Sequence, residues 1–225
     1  RHESRCGSGR TRSEIRVARA AISGGLAFLQ AKRAWIERTW ARMRTRERAV
    51  PDPGPARYEN GATFLHRGRA LRLDVREDDV RRPRVEARDD LVVTVPRGLS
   101  EAGRQRTVSV TVRAWAWARL LEEATRLAGE LATRLGWNVS AVRLTRARSR
   151  WGSCSALGVI RVNVALAAAP PDLLEYLVAH EVAHIRCRGH GPRFYATLAR
   201  ILPDWAERRA RLREFERSNP GLPGA

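Results

Sequence analysis

Lysine is all but missing from this 225-residue sequence: Lys32 is the only one, and the other 42 basic residues are arginine. Cysteine is sparse too. Cys6, Cys154 and Cys187 form no Cys-x-x-Cys pair, and an odd number of three excludes a disulfide framework and fits a reducing compartment. The expected location is therefore cytoplasmic. No apolar run approaches the roughly 18–20 residues that span a bilayer. The longest candidates, 108–121 and 173–185, are broken by Arg, Glu or His, so no integral membrane protein is expected. The basic stretch RHESRCGSGRTRSE has no apolar segment behind it, which predicts no secretory signal. Without one, Asn138-Val139-Ser140 reads as a chance glycosylation match.

What is abundant is positive charge, a net +19. Such an excess suggests an anionic partner. The near-total use of Arg, together with much Ala and Gly, looks more like genomic base composition than a tuned surface. The excess is also uneven, +9 over residues 1–50 but +3 over 151–225. Basic runs usually solvate a face, so nucleic acid is a partner to consider but not the favoured one.

The length fits one domain or two small ones with a real core. Residues 1–25 read as a basic, disordered arm. A helix is predicted over 26–48, where Leu29, Ile36, Trp40 and Met43 recur at helical spacing beside Phe28 and Trp35. Pro51, Pro53, Gly54 and Pro55 end it. Strands are expected within 63–96, with a polar turn at 76–83, and a long helix over 107–135. The helix start is ambiguous, because Val108, Val110 and Val112 alternate as a strand would. Strands at 141–147 and 159–165 flank a turn-rich stretch, 149–158. Helices follow at 172–187, 193–202 and 204–215. The grouping is 26–136, then a catalytic region at 137–217 and a tail at 218–225, with 26–217 as one compact unit. That order predicts an α+β fold.

The chemistry sits in Pro170-Pro171-Asp172 through His184. Prolines and an acid open a helix well. His180 and His184 are four apart, so both imidazoles face one side, one turn apart, and can reach one ion. Glu181 lies about 100° round the helix, within reach of a water on that ion. This is the His-Glu-x-x-His pattern of zinc hydrolases. Three of the five histidines fall between 180 and 190, which outweighs a structural role for a lone buried histidine. Catalytic zinc keeps three protein ligands and a water, whose pKa it lowers toward about 7, and Glu181 would take that water's proton.

His190 is the favoured third ligand, bracketed by Gly189 and Gly191-Pro192. Cys187, three after His184, is a competing thiolate that could instead pack as a small hydrophobe. The spacing of ten from His180 to His190 equals that of metzincins. Those want Gly where Cys187 stands, so the turn must be built differently. A second segment, Ser149 to Ser155, reads either as a tight turn with Trp151 in the core or as a contributor to the site. Arg150 or Ser153 could donate to a developing oxyanion, and Cys154 is a weaker candidate nucleophile.

Taken in order, Arg150-Trp151-Gly152-Ser153-Cys154-Ser155, Ile160-Arg161-Val162-Asn163, Ala169-Pro170-Pro171, His180-Glu181-x-x-His184, His190-x-x-x-Phe194 and Leu202-Pro203-Asp204 resemble the YgjP-like metallopeptidases, relatives of the SprT-like and WLM zincins. The likeness is specific over 140–215 and looser over 26–135, where Trp35-Ile36 and Tyr58-Glu59-Asn60-Gly61 also fit. It implies a zincin-like fold, with the active-site helix on a small, mostly antiparallel sheet. It further implies Zn2+, or another divalent transition metal, on His180, His184 and His190, with Glu181 as catalytic base. Arg150, Ser153 and Cys154 would lie near the site, and Tyr195, where relatives often have Trp, would line the cleft.

The leading expectation is a zinc metallopeptidase acting on peptides. A nucleoside triphosphate pyrophosphatase is the alternative, motivated by arginine's affinity for phosphate and by relatives so described. A DNA-associated, SprT-like protease using the basic arm, and a non-catalytic zinc module, are further ones.

Overall fold

Arg67 and Gly68 both hold left-handed backbone, at φ 51° and 76°, and this pair closes a hairpin between β1 (Thr63–His66) and β2 (Arg69–Asp78). Two positive φ values match the twist of the flanking strands. The computed structural model describes residues 57–219, all within the unit Val50–Ala225. The predicted arm at 1–25 and helix at 26–48 lie outside the described residues.

The hairpin tip is pinned. The backbone N–H groups of Arg67 and Gly68 donate to the carbonyls of Ala167 and Ala168 at 2.9 and 2.8 Å. A Cβ at position 68 would come 2.9 Å from Pro170 Cγ, so only glycine fits there without displacement. The tip thus abuts the start of the helix that carries the histidines.

β3 (Arg84–Ala87) and β4 (Leu91–Pro96) complete the first sheet, in the order β1-β2-β4-β3. β2 and β4 run parallel and the other two pairings are antiparallel. Leu91, Val93 and Val95 of β4 are fully buried. The predicted turn at 76–83 is shorter than expected, because β2 continues to Asp78 along β4. Backbone pairing carries it where the side chains are polar.

Helix α1 spans Glu101–Leu135. It starts six residues before the predicted position. Ser100 caps it, its Oγ accepting from the Gly103 N–H at 3.2 Å. Gly136 ends it at φ 63°, in a left-handed cap. The valine ambiguity resolves in favour of helix: Val108 and Val112, four apart, are buried while Val110 is exposed. Ala116, Leu120, Ala124 and Ala128 continue that stripe.

The second sheet has the order β5-β7-β6, from β5 (Ala141–Thr145), β6 (Gly152–Cys154) and β7 (Val159–Asn163). β5 runs parallel to β7 and β6 antiparallel. β6 lies inside the stretch read from sequence as a turn. A 3-10 turn (Val164–Ala167) leads to α2 (Pro171–Ala183), followed by α3 (Pro192–Ile201) and α4 (Trp205–Ser218). Helix α2 packs on α1, on β6 and β7, and on α3 and α4, so nearly every face of it is buried. The plan is α+β, as the element order predicts. Three of the five strand pairings are antiparallel, spread over two sheets rather than one. Among the described residues no helix is long and apolar enough to cross a membrane.

Candidate metal centre

Helix α2 begins with Pro170 and Pro171 and has Asp172 in its first turn, where proline has no N–H to lose and an acid meets the positive dipole end. It stops at Ala183, four residues earlier than predicted, with His184 as its C-cap. The break therefore comes at His184 itself. A tight turn follows, in which the N–H of Cys187 donates to the carbonyl of Ala183 at 3.0 Å. This turn needs no glycine at 187, and it swings His190 back beneath the helix.

The three histidines converge. His190 Nε2 lies 3.0 Å from His180 Nε2 and 3.2 Å from His184 Nε2. The donor atoms of all three fall within 4.8 Å of one another. His184 Nδ1–H donates to the Cys187 carbonyl at 2.8 Å, which fixes the tautomer and leaves Nε2 as a lone pair. His180 is held neutral: burial first, then the neighbouring histidines and Arg209, push it down to about 3. Burial likewise lowers His184. Ligands about 2.0–2.1 Å from one tetrahedral ion lie about 3.4 Å apart, close to the spacing observed. Three ring nitrogens gathered at this spacing suit a divalent cation.

The thiol of Cys187 is not part of this cluster. Its side chain is buried and its Sγ sits 3.7 Å from Thr197 Oγ1, so Cys187 serves the site through its carbonyl. Phe194 lies beneath the cluster, fully buried, with ring centroids 4.6–4.9 Å from all three imidazoles. It fixes ring orientation and excludes water from the protein side.

Glu181 is 4% exposed, and its Oε2 is buried without a hydrogen-bond partner. Burial pushes its carboxyl up to about 8, with Arg150 pulling the other way. Across from it stands Gly152 of β6. A Cβ there would lie 2.6 Å from Glu181 Oε1 and 3.1 Å from the Arg161 carbonyl. The absence of a side chain at 152 is what lets the carboxylate lie against the strand.

The loop before β6 is held by Asn163, which is fully buried. Its Nδ2 donates to the carbonyls of Ala147 and Arg150 at 2.6 and 3.0 Å, and its Oδ1 accepts from the Ala165 N–H at 3.1 Å. Asn163 therefore sets where Arg150 stands. In the sequence Asn163 closes the Ile160-Arg161-Val162-Asn163 stretch, an amide at the end of an apolar strand, but nothing there spelled out this role.

A cleft of about 420 Å³ opens beside the histidines. Its walls include Arg150, Gly152, His180, Glu181, His190 and Tyr195. Trp151 is a core residue, 3% exposed, as the tight-turn reading has it, and its edge still reaches the cleft. Ser153 and Cys154 do not line the cleft. Strand alternation turns Ser153 to the face opposite Gly152. Cys154 is close enough to Glu181 that the carboxylate, after burial, raises its thiol, which argues against a nucleophilic thiolate. Sequence reasoning missed Phe194 and Asn163 as parts of the site, together with Arg209 and Arg213, which reach it from α4.

Residues 11–215 match the family described as YgjP-like, metallopeptidase domain. No curated protein matches. Among solved structures the chain is similar to the metallopeptidase zymogen of Pyrococcus abyssi abylysin, at 18% identity and a TM-score of 0.40, over 45% of this chain and 99% of that one. It is also similar to the metallopeptidase zymogen of Methanocaldococcus jannaschii jannalysin, at 19% identity and a TM-score of 0.36, over 40% and 94% of the two chains.

Proposed function

We propose that this chain, which belongs to the YgjP-like metallopeptidase family, is a zinc-dependent peptidase with His180, His184 and His190 as ligands and Glu181 as general base. The observation that carries this reading is the convergence of three Nε2 atoms, 3.0–3.2 Å apart for the His190 pairs, beside a buried carboxyl group. Three histidines are a ligand set that suits zinc with one position left for chemistry.

His180, His184 and His190 would hold the ion, which when bound would supply Lewis acidity toward a carbonyl oxygen and a bound water. The protein's own groups do the rest. Glu181 accepts the proton of the attacking water on its carboxylate and passes it to the leaving amine nitrogen. Its elevated affinity for protons makes it a competent donor in that second step. Arg150 faces the same cleft and can donate to the negative charge that develops on the carbonyl oxygen. Among the described residues β6 pairs only with β7. Its other edge offers backbone groups to an extended peptide, which favours a peptide substrate.

The test is metal content by mass spectrometry. Near-stoichiometric zinc in the wild type, lost in His180→Ala/His184→Ala, supports the site. Glu181→Gln should keep the metal and lose roughly 10²–10⁴-fold in peptide cleavage. Metal bound equally by the double variant would overturn the assignment. One observation favours the nucleotide reading instead, namely the arginines of the cleft. Conversion of a nucleoside triphosphate to its monophosphate, with no cleavage across a broad peptide library, would establish it.

A further inference from the structure

Helix α4 carries two kinds of arginine. On α4, Arg208 pairs with Asp204 at 2.8 Å and with Glu175, and Arg211 pairs with Asp172 at 2.6 Å. Arg209 and Arg213 of the same helix have no such ion pair among the described residues. Arg209 and Arg213, four apart on the neighbouring face, turn into the cleft beside the histidines, and Arg150 faces them from the loop before β6. Among the described residues no carboxylate forms an ion pair with any of the three.

Arg209 is nevertheless held. It sits over the Tyr195 ring, 5.8 Å from its centroid, and its Nη1 donates to the Tyr195 hydroxyl at 3.4 Å. Tyr195 in turn stacks on Trp205, centroids 4.9 Å apart. A guanidinium fixed by stacking and by a neutral hydroxyl keeps its remaining donors for a ligand. Between the arginines lies an apolar floor, with Leu177 and Leu212 both buried. Among the described residues, the only other acid on the walls besides Glu181 is Glu216, against three arginines.

We propose that this cleft is a substrate subsite for a carboxylate-bearing peptide, with Arg209 and Arg213, aided by Arg150, receiving an acidic side chain or free C-terminal carboxylate next to the bond that is cut. The apolar floor takes the methylene stem, and the guanidinium groups take the charge. The inference rests on the peptidase reading of the neighbouring metal centre. An acidic side chain and a chain terminus present the same group, so the test must separate them.

The metal-loaded full chain is given a peptide library whose members differ only in Glu, Gln or Lys beside candidate bonds, each with a free or an amidated C-terminus, and products are read by mass spectrometry. In parallel, Glu181→Gln is titrated calorimetrically with the Glu peptide, the Gln peptide and a nucleoside triphosphate. Peptides with the carboxylate should be cut and bound on the order of tenfold or more better than their amide counterparts. That preference should collapse in Arg209→Gln/Arg213→Gln and turn toward Lys in Arg209→Glu/Arg213→Glu, with metal content unchanged in both. Loss of the preference on amidation alone assigns the terminus, and its dependence on Glu assigns the side chain.

Cleavage that ignores charge and both double variants overturns the subsite while leaving the peptidase reading intact. No cleavage of any peptide, with arginine-dependent binding of the carboxylate, overturns the peptidase reading and supports the subsite. Tighter binding of the nucleoside triphosphate, with no discrimination between Glu and Gln, overturns both.

Discussion

Gly152 decides how closely the proposed general base can approach β6. A methyl group there would lie 2.6 Å from Glu181 Oε1, and the nearby Arg161 carbonyl blocks retreat of the strand. Gly152→Ala is expected to keep the metal, since it touches no histidine, and to lower kcat by about 10²-fold or more through misplacement of the carboxylate. Metal analysis beside a peptide assay checks this, and wild-type kcat would refute it. Glu181 also makes a statement about pH. In the metal-free protein its carboxyl titrates near 8 rather than near its ordinary 4.5. Between those values the folded state holds a proton that the unfolded state has released, so stability from this group is full below about pH 4.5 and is lost as pH rises through about 8. Glu181→Gln removes that loss. The difference in Tm between variant and wild type, both metal-free, should grow in favour of the variant between pH 5 and pH 8. A pH-independent difference would refute it.

At the scale of elements, the second sheet and α2 present the site, and Asn163 joins them. Three hydrogen bonds from one buried amide hold the 147–150 loop and the 3-10 turn. Asn163→Ala would leave two carbonyls and an N–H without partners, at about 1–3 kcal/mol for each one that stays buried. Denaturant melts should show a loss of about 3 kcal/mol or more, and activity should fall further than stability alone explains because Arg150 drifts. The elements most legible in the sequence were those whose signal is local. Pro170-Pro171-Asp172, His180 and His184 mark α2 on their own, and glycine and proline around His190 announce that the helix ends before it, though not that it ends as early as His184. β6 was not legible, since its residues are small and tertiary pairing alone makes it a strand, and β3, though inside the stretch read as strands, had no signal of its own for its bounds. The start of α1 was misplaced because Val108 and Val112 satisfy periods of two and four alike, and only burial separates the two. Arg209 and Arg213 carried no signal, because the face of α4 that meets the cleft is chosen by packing.

For the molecule as a whole, the ligands lie close together in the chain while the rest of the site is gathered from afar. His180, His184 and His190 lie within eleven residues, so the loop an ion closes is short, and its closure entropy is small. Gly152 comes from about thirty residues upstream and Arg209 from about twenty downstream, and the hairpin tip at Gly68 that braces α2 is about a hundred residues away from Ala168. Contacts of such separation form slowly, because their loop entropy is lost before they are rewarded. A divalent ion bound there would tie together only the short stretch from His180 to His190, whereas the groups that would act on a substrate depend on strands and a helix far away in the chain having closed around it.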